Sequence, residues 1–461
     1  MTRRTLLLSI PPAIALTGQP LLYDVRRFGG LQNAIDAAAR DGGGTVYVPA
    51  GRYVCGTIHL QSHVSVWLDN GATLAMSSDP AAFDPPEALN YDPHADRSTS
   101  FFHNGLFVGE QLDQVAIFGQ GAIDGHRTRG GGPKPISLKR CRNVSIRGIT
   151  IANAPNYNIS LLGCDYVDID GVTIRNGYSD GIDLDCSRFV RISNCFVESV
   201  DDAICLKASP ALGERISTEH VTVSNCVLRT ASIHFKCGTE SYGDFRNIAV
   251  TNCAFVGGMG DRHGNPGVAL YSVDGGTLDG VVVSNITMQN VGVPVALRLG
   301  ARGRGQTKPQ AGAVENVQLT NIVATGARRP SVICGLPGSP IRKVSIADMR
   351  VSLKASGAGP DSLAAVSEKP AEYPDPTMFG ALPAYGLYMR HAREVELRGA
   401  VLEGPEDERR PGIVADDVER LRLDSVRASL WLNDVRDGSV VESGPEIRVS
   451  GPRTARVKTR A

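Results

Sequence analysis

Charge of one sign is what this chain lacks most plainly: 48 basic and 48 acidic residues cancel to a formal net charge of zero. With no global field to steer them, neither nucleic acid nor a membrane surface is an expected partner. Aromatic residues are scarce, 6% of the 461, which counts against helices packed around a ring-rich core. Beyond the N-terminus no apolar run approaches the ~20 residues that a membrane-spanning helix needs. Cys-x-x-Cys is absent, so neither a zinc site nor a redox pair is expected. No metal or organic cofactor is called for.

Glycine is plentiful, at 51 residues, and Val and Ile are frequent. That mixture suits short strands joined by tight turns. From about Val144 the chain repeats itself: Val144, Val167 and Val190 mark the same point of three units at a spacing of 23. The pattern returns at Val221, Ile248, Val281, Val317, Val344, Val395 and Leu421. Self-similarity at this period signals a solenoid, and β-rich units make it a β-helix. Asn194, Asn225, Asn252, Asn285 and Asn321 each precede a strand, where Asn tolerates a left-handed bend and its amide can bond coil to coil. Cys195, Cys226 and Cys253 follow three of these Asn residues and read as a stacked ladder of free, buried thiols.

The expected fold is therefore all-β, a right-handed parallel β-helix spanning residues 21–450 as one domain. The segment Leu31–Arg40, apolar at 31, 34, 35 and 38, reads as a short helix that caps the first coil and protects its open strand edges. Insertions at Gly300–Gly312 and Lys354–Pro383 read as loops, because the repeat resumes after each. Residues 1–18, with two arginines before a short Pro-broken apolar run, read as an export signal, with the twin-arginine type a candidate, which implies a periplasmic or secreted protein. Residues 451–461 read as a disordered tail. A monomer is expected.

Chemistry concentrates in Tyr178-Ser-Asp-Gly-Ile-Asp183 and Val200-Asp-Asp-Ala-Ile-Cys205, which occupy matching points of successive coils. Stacking brings Asp180, Asp201 and Asp202 together. Like charges make such a cluster costly unless one member holds a proton while others stay ionised. An acid facing a base is what hydrolysis of a glycosidic bond requires. Single aspartates are common in turns, but three in stacked turns favour catalysis. Asp183 alternates with apolar neighbours and reads as an outward-facing, supporting residue. Lys207, just after the Asp pair, reads as a contact for a sugar carboxylate. His234 and Lys236, taken to share a strand face, and nearby Glu240 read as further substrate contacts. Arg298 sits in the apolar run Val295-Ala-Leu-Arg-Leu299, where a lone charge needs a reason, and substrate is the expected one.

The chain resembles glycoside hydrolase family 28, the polygalacturonase-like enzymes. The likeness runs from Tyr23 to Leu353 and includes Gly43-Gly-Thr-Val-Tyr-Val-Pro-Ala-Gly-Arg-Tyr53, Leu68-Asp-Asn-Gly-Ala-Thr-Leu74 and Gly119-Gln-Gly-Ala-Ile-Asp-Gly125. The family's Asp-Asp motif is intact at Asp201 and Asp202, and its Asn-Thr-Asp keeps only the aspartate, at Asp180. The resemblance implies that Asp201 protonates the leaving oxygen while Asp180 and Asp202 hold and deprotonate water, with inversion at the anomeric carbon. Acid and base are then expected about 6.5–9.5 Å apart. Two motifs depart from the family. Gly-His-Gly is replaced by Ser232-Ile-His234, which puts Ile233 where His is expected. Arg-Ile-Lys becomes Arg298-Leu-Gly300, with Arg302 or Arg304 left to supply the lost charge. The substrate so implied is pectic polysaccharide or oligosaccharide with α-linked galacturonic acid. Rhamnogalacturonan is a candidate, and exo action is favoured because the two insertions could wall off one end of the groove. The rivals are a calcium-dependent pectate-lyase-like β-helix and a non-catalytic carbohydrate-binding β-helix.

Overall fold

The structure, a computed structural model, describes residues 22–441 apart from 127–129, 358 and 360–362, together with 447–452, 454 and 458–460. The expected export signal lies outside the described residues. Among these no helix is long and apolar enough to cross a membrane.

Alternation builds the coils. In Arg142–Arg147, Asp165–Asp170 and Arg188–Ser193 the Val and Ile positions point inward and the polar ones outward. Val144 pairs in parallel with Val167, and Val167 with Val190. The same column continues through Val221, Ile248, Val281, Val317, Val344, Val395 and Leu421. All ten are at most 2% exposed, and burying each such side chain is worth about 1.5–3 kcal/mol. The result is a parallel β-helix with three faces, as the repeat predicts. Early coils carry three short strands. From Phe245–Val256 onward two of them fuse into one long bent strand, as in Thr277–Gln289 and Ala313–Ala327.

The bends are where the Asn residues sit. Asn194, Asn225, Asn252, Asn285 and Asn321 all have φ between 52° and 58°. Their amides form an axial ladder, Asn225 donating to Asn194, Asn285 to Asn252 at 3.0 Å and Asn321 to Asn285 at 2.8 Å. Cys195, Cys226 and Cys253 lie just inside it, buried and free.

Leu31–Arg40 is the expected helix, with Leu31, Ala34, Ile35, Ala37 and Ala38 buried against the first coil. The C-terminal tail corrects its expectation. Lys458–Arg460 forms a strand parallel to Asp437–Val441, so the solenoid continues past residue 450. The open edge of the preceding coil is a ready template for one more strand, which composition alone did not reveal.

The third face carries the site. Its inward column runs Ile159, Ile182, Ile204, Phe235, Val268 and Val295, and its outward column Ser160, Asp183, Cys205, Lys236, Ala269 and Ala296. Two segments cover the outward column. On the N-terminal side Phe102 packs with Leu162, Cys186, Ala211 and Leu212. On the other, Leu363, Val366 and Leu382 pack over Ile233, Ala269, Tyr271 and Val332.

Candidate active site

Asp180 and the Asp201–Asp202 pair lie in the turns that enter Ile182–Asp185 and Ile204–Ala208. Backbone bonds stack these turns directly: Gly181 N–H donates to Asp202 O at 2.8 Å, and Ile182 N–H to Ala203 O at 2.9 Å. Gly181 permits the approach, since a Cβ there would stand 2.5 Å from Ala203 O. One carboxylate oxygen from each of Asp180, Asp201 and Asp202 then lies within 4.8 Å of the others. This is closer than the expected 6.5–9.5 Å, so spacing by itself does not choose inversion. Oxygens alone in a tight cluster would suit a hard cation as well as a shared proton.

The surroundings divide the cluster. Asp180 and Asp202 are 4% and 3% exposed, whereas the Asp201 side chain is 17% exposed. Burial pushes the Asp180 carboxyl well above the usual range; Asp201, Asp202 and Asp183 add to this and Lys207 opposes it. For Asp202 burial again favours the proton, but Lys236 at 2.8 Å and the Ser232 hydroxyl at 2.7 Å outweigh it and hold the carboxylate below its ordinary value. Ile233 N–H donates a further bond to Asp202, 3.2 Å long. The cluster is thus arranged to keep one proton at Asp180 and a negative charge at Asp202.

That burden has a consequence for stability. In the unfolded chain an aspartate carboxyl such as Asp180 titrates near 3.8. Above that pH the unfolded carboxyl gives up its proton while the folded one keeps it, so stability falls as pH rises. Asp180→Asn is therefore expected to melt higher than wild type at about pH 6, the gap closing as pH falls towards about 4. A melting temperature that is lower for the variant at both pH values would refute this.

Asp183 supports the cluster: its carboxylate pairs with Lys207 at 2.5 Å. It faces outward from the coil, as its alternation requires, but the covering segment buries it. Lys207 is not free to bind substrate. It lies 3% exposed among Asp183, Asp180 at 3.4 Å and the Tyr157 hydroxyl at 3.0 Å. Lys236 is likewise taken, by Asp202 and by the Tyr373 hydroxyl at 3.1 Å. Burial opposes ionisation of Glu240, yet Lys207, Arg302, Lys236 and Arg304 together hold it down at about 2. Arg304 and Arg302 thus do bring charge to this end of the site, at 2.9 and 3.8 Å from Glu240.

Two further expectations change. His234 is fully buried; its ring stacks on the core residue Phe255 with centroids 5.4 Å apart and its Nδ1 meets Pro266 O. It sits at the bend before Phe235–Ser241, outside the alternation of that strand, and so it does not share a face with Lys236. Arg298 is 2% exposed and donates to the carbonyls of Gly335, Glu368 and Lys369, its guanidinium 5.3 Å from the centre of the Phe379 ring. The lone charge in that strand ties down the covering loop and does not reach into the groove.

Four residues that the sequence did not single out complete the site. Arg262 pairs with Asp201 at 2.9 Å. His263 stacks against Tyr373, centroids 4.9 Å apart, and pairs with Asp375 at 3.6 Å. Arg262 and His263 lie in a Gly-rich turn, and Tyr373 and Asp375 in an insertion, where no periodicity marks a residue as facing the site.

Comparison with known proteins agrees with this geometry. The model of the family described as glycosyl hydrolases family 28 matches residues 46–367. A probable polygalacturonase of Vitis vinifera is 23% identical over 344 residues, 68% of each chain. Among solved structures, a hyperthermoactive exopolygalacturonase of Thermotoga maritima superposes with TM-score 0.64 at 19% identity, covering 84% of this chain and 93% of that one. A family 28 exopolygalacturonase of Yersinia enterocolitica gives 0.66 at 17% identity, covering 87% and 78%.

Proposed function

Because the chain belongs to glycosyl hydrolases family 28, we propose that it cleaves α-linked galacturonic acid residues of pectic material by hydrolysis with inversion. The observation that carries this reading is the cluster of Asp180, Asp201 and Asp202, whose turns stack one on the other and bring one oxygen of each within 4.8 Å of the others. In the proposed cycle the proton moves within the cluster from Asp180 to Asp201, the most open of the three, which passes it to the glycosidic oxygen. Water between Asp180 and Asp202 attacks the anomeric carbon and returns a proton to the cluster, so none is gained or lost overall. General acid–base assistance of this kind contributes about 100- to 10,000-fold.

Exo action is supported by the two segments that pack over the outward column and by the likeness to two exopolygalacturonases. Pectic polymers lie outside the cell, which accords with the expected export signal. The test is a digest of homogalacturonan and rhamnogalacturonan oligosaccharides, with and without chelator, followed by mass and by anomeric proton signals. Saturated galacturonic acid, released as the β-anomer and unaffected by chelator, is the expected product. Unsaturated products that vanish with chelator would replace hydrolysis by a lyase reaction.

A further inference from the structure

Cations surround the three carboxylates, yet most are already committed. Lys207 and Lys236 are buried on Asp183 and Asp202. Arg302 is bound to Asp274 at 2.6 Å, and Arg298 holds backbone carbonyls. Arg304 is partly open but pairs with Glu240 and Asp96, away from the cluster. Arg262 differs: it touches Asp201 at 2.9 Å while its side chain remains 46% exposed. Its position is well supported. Neighbouring Asp261 is clamped by Arg328 at 2.9 Å and Arg329 at 2.5 Å, and Arg262 N–H donates to Ala231 O at 2.9 Å. On the other side His263 rests on Tyr373.

While the ion pair stands, the Asp201 oxygen that would deliver a proton is occupied by a guanidinium. Resting on the reading that the substrate is a uronic acid, we propose that Arg262 is the residue that reads the substrate's carboxylate, and that this contact releases Asp201 for catalysis. An incoming sugar carboxylate offers Arg262 a bidentate partner. The guanidinium transfers from Asp201 to the sugar, and the proton kept within the cluster can then sit on Asp201. From there it passes to the glycosidic oxygen, and the attacking water restores it. A neutral sugar lacks the group that draws Arg262 away, so the acid stays blocked. Selection for acidic sugars and activation of the acid are then one event.

The experiment compares kcat/KM for di- or trigalacturonate with that for the same oligosaccharide methyl-esterified at its carboxyls, in wild type, Arg262→Gln and Arg262→Lys. Wild type is expected to favour the free acid. In Arg262→Gln the ratio of the two kcat/KM values should collapse by about 10-fold or more, the scale for losing a hydrogen bond to a charged group. Arg262→Lys, which keeps the charge but not the fork, should restore part of the ratio. An unchanged ratio in Arg262→Gln would overturn the proposal, as would an equal fall on both substrates, which is what mere support of the loop predicts. If wild type cleaves the ester as well as the acid, the inference fails while the proposed hydrolysis stands; if it cleaves neither, the proposed hydrolysis fails.

Discussion

Asp201→Asn should lower kcat by about 100- to 10,000-fold while the protein melts as wild type does. Asparagine matches the shape of aspartate but cannot deliver a proton. Because Asp201 is the most open of the cluster and its ion pair among the described residues is with a half-exposed arginine, its loss leaves no buried charge unpaired. Asp202→Asn should be equally inactive but less stable, since it strands Lys236, 4% exposed, without its carboxylate. Initial rates on trigalacturonate together with melting curves separate the two effects. An Asp201→Asn enzyme that kept a tenth of wild-type turnover would remove Asp201 from the acid role.

Lys207→Met is expected to destabilise the fold by about 3–5 kcal/mol, the cost of breaking a buried ion pair by removing one member. The lysine is the shared partner of Asp183 and Asp180 and holds the Tyr157 hydroxyl. Without it Asp183 would be a buried carboxylate facing other carboxylates. Adding Asp183→Leu to the variant should recover a large part of the loss, because a buried pair replaced by apolar groups is often neutral. Urea denaturation of the two single variants and the double variant measures this. If the double variant is as unstable as the sum of the singles, the pair is not coupled.

The coils were legible because their physics is local and repeated. A Val or Ile every second residue, a polar turn and an Asn at φ near 55° recur often enough that Val144 and Val167 announce their pairing. The tail escaped notice because a strand added to an existing edge needs little signal of its own. The clustered aspartates were legible for the same reason as the coils. Residues at one point of a repeat must stack, so Asp180 and Asp201–Asp202 had to meet.

Substrate contacts were not legible in the same way. Lys207, His234 and Arg298 each looked like a ligand because each is a charge or an imidazole beside the turns that carry the three aspartates. Which way such a group points, and whether a carboxylate or carbonyl already holds it, depends on segments far away in the chain. Phe255 claimed His234, the carbonyls of Glu368 and Lys369 claimed Arg298, and Asp183 claimed Lys207.

By itself, then, the sequence determined the solenoid, its register and the position of three carboxylates, all consequences of a short period imposed on a strand's two-residue alternation. Only the tertiary structure decided which carboxyl is pushed to hold the proton, which cations are spent internally and that Arg262 stays open to solvent. Burial and charge pairing arise between residues brought together by insertions, and insertions carry no period from which their contacts could be read.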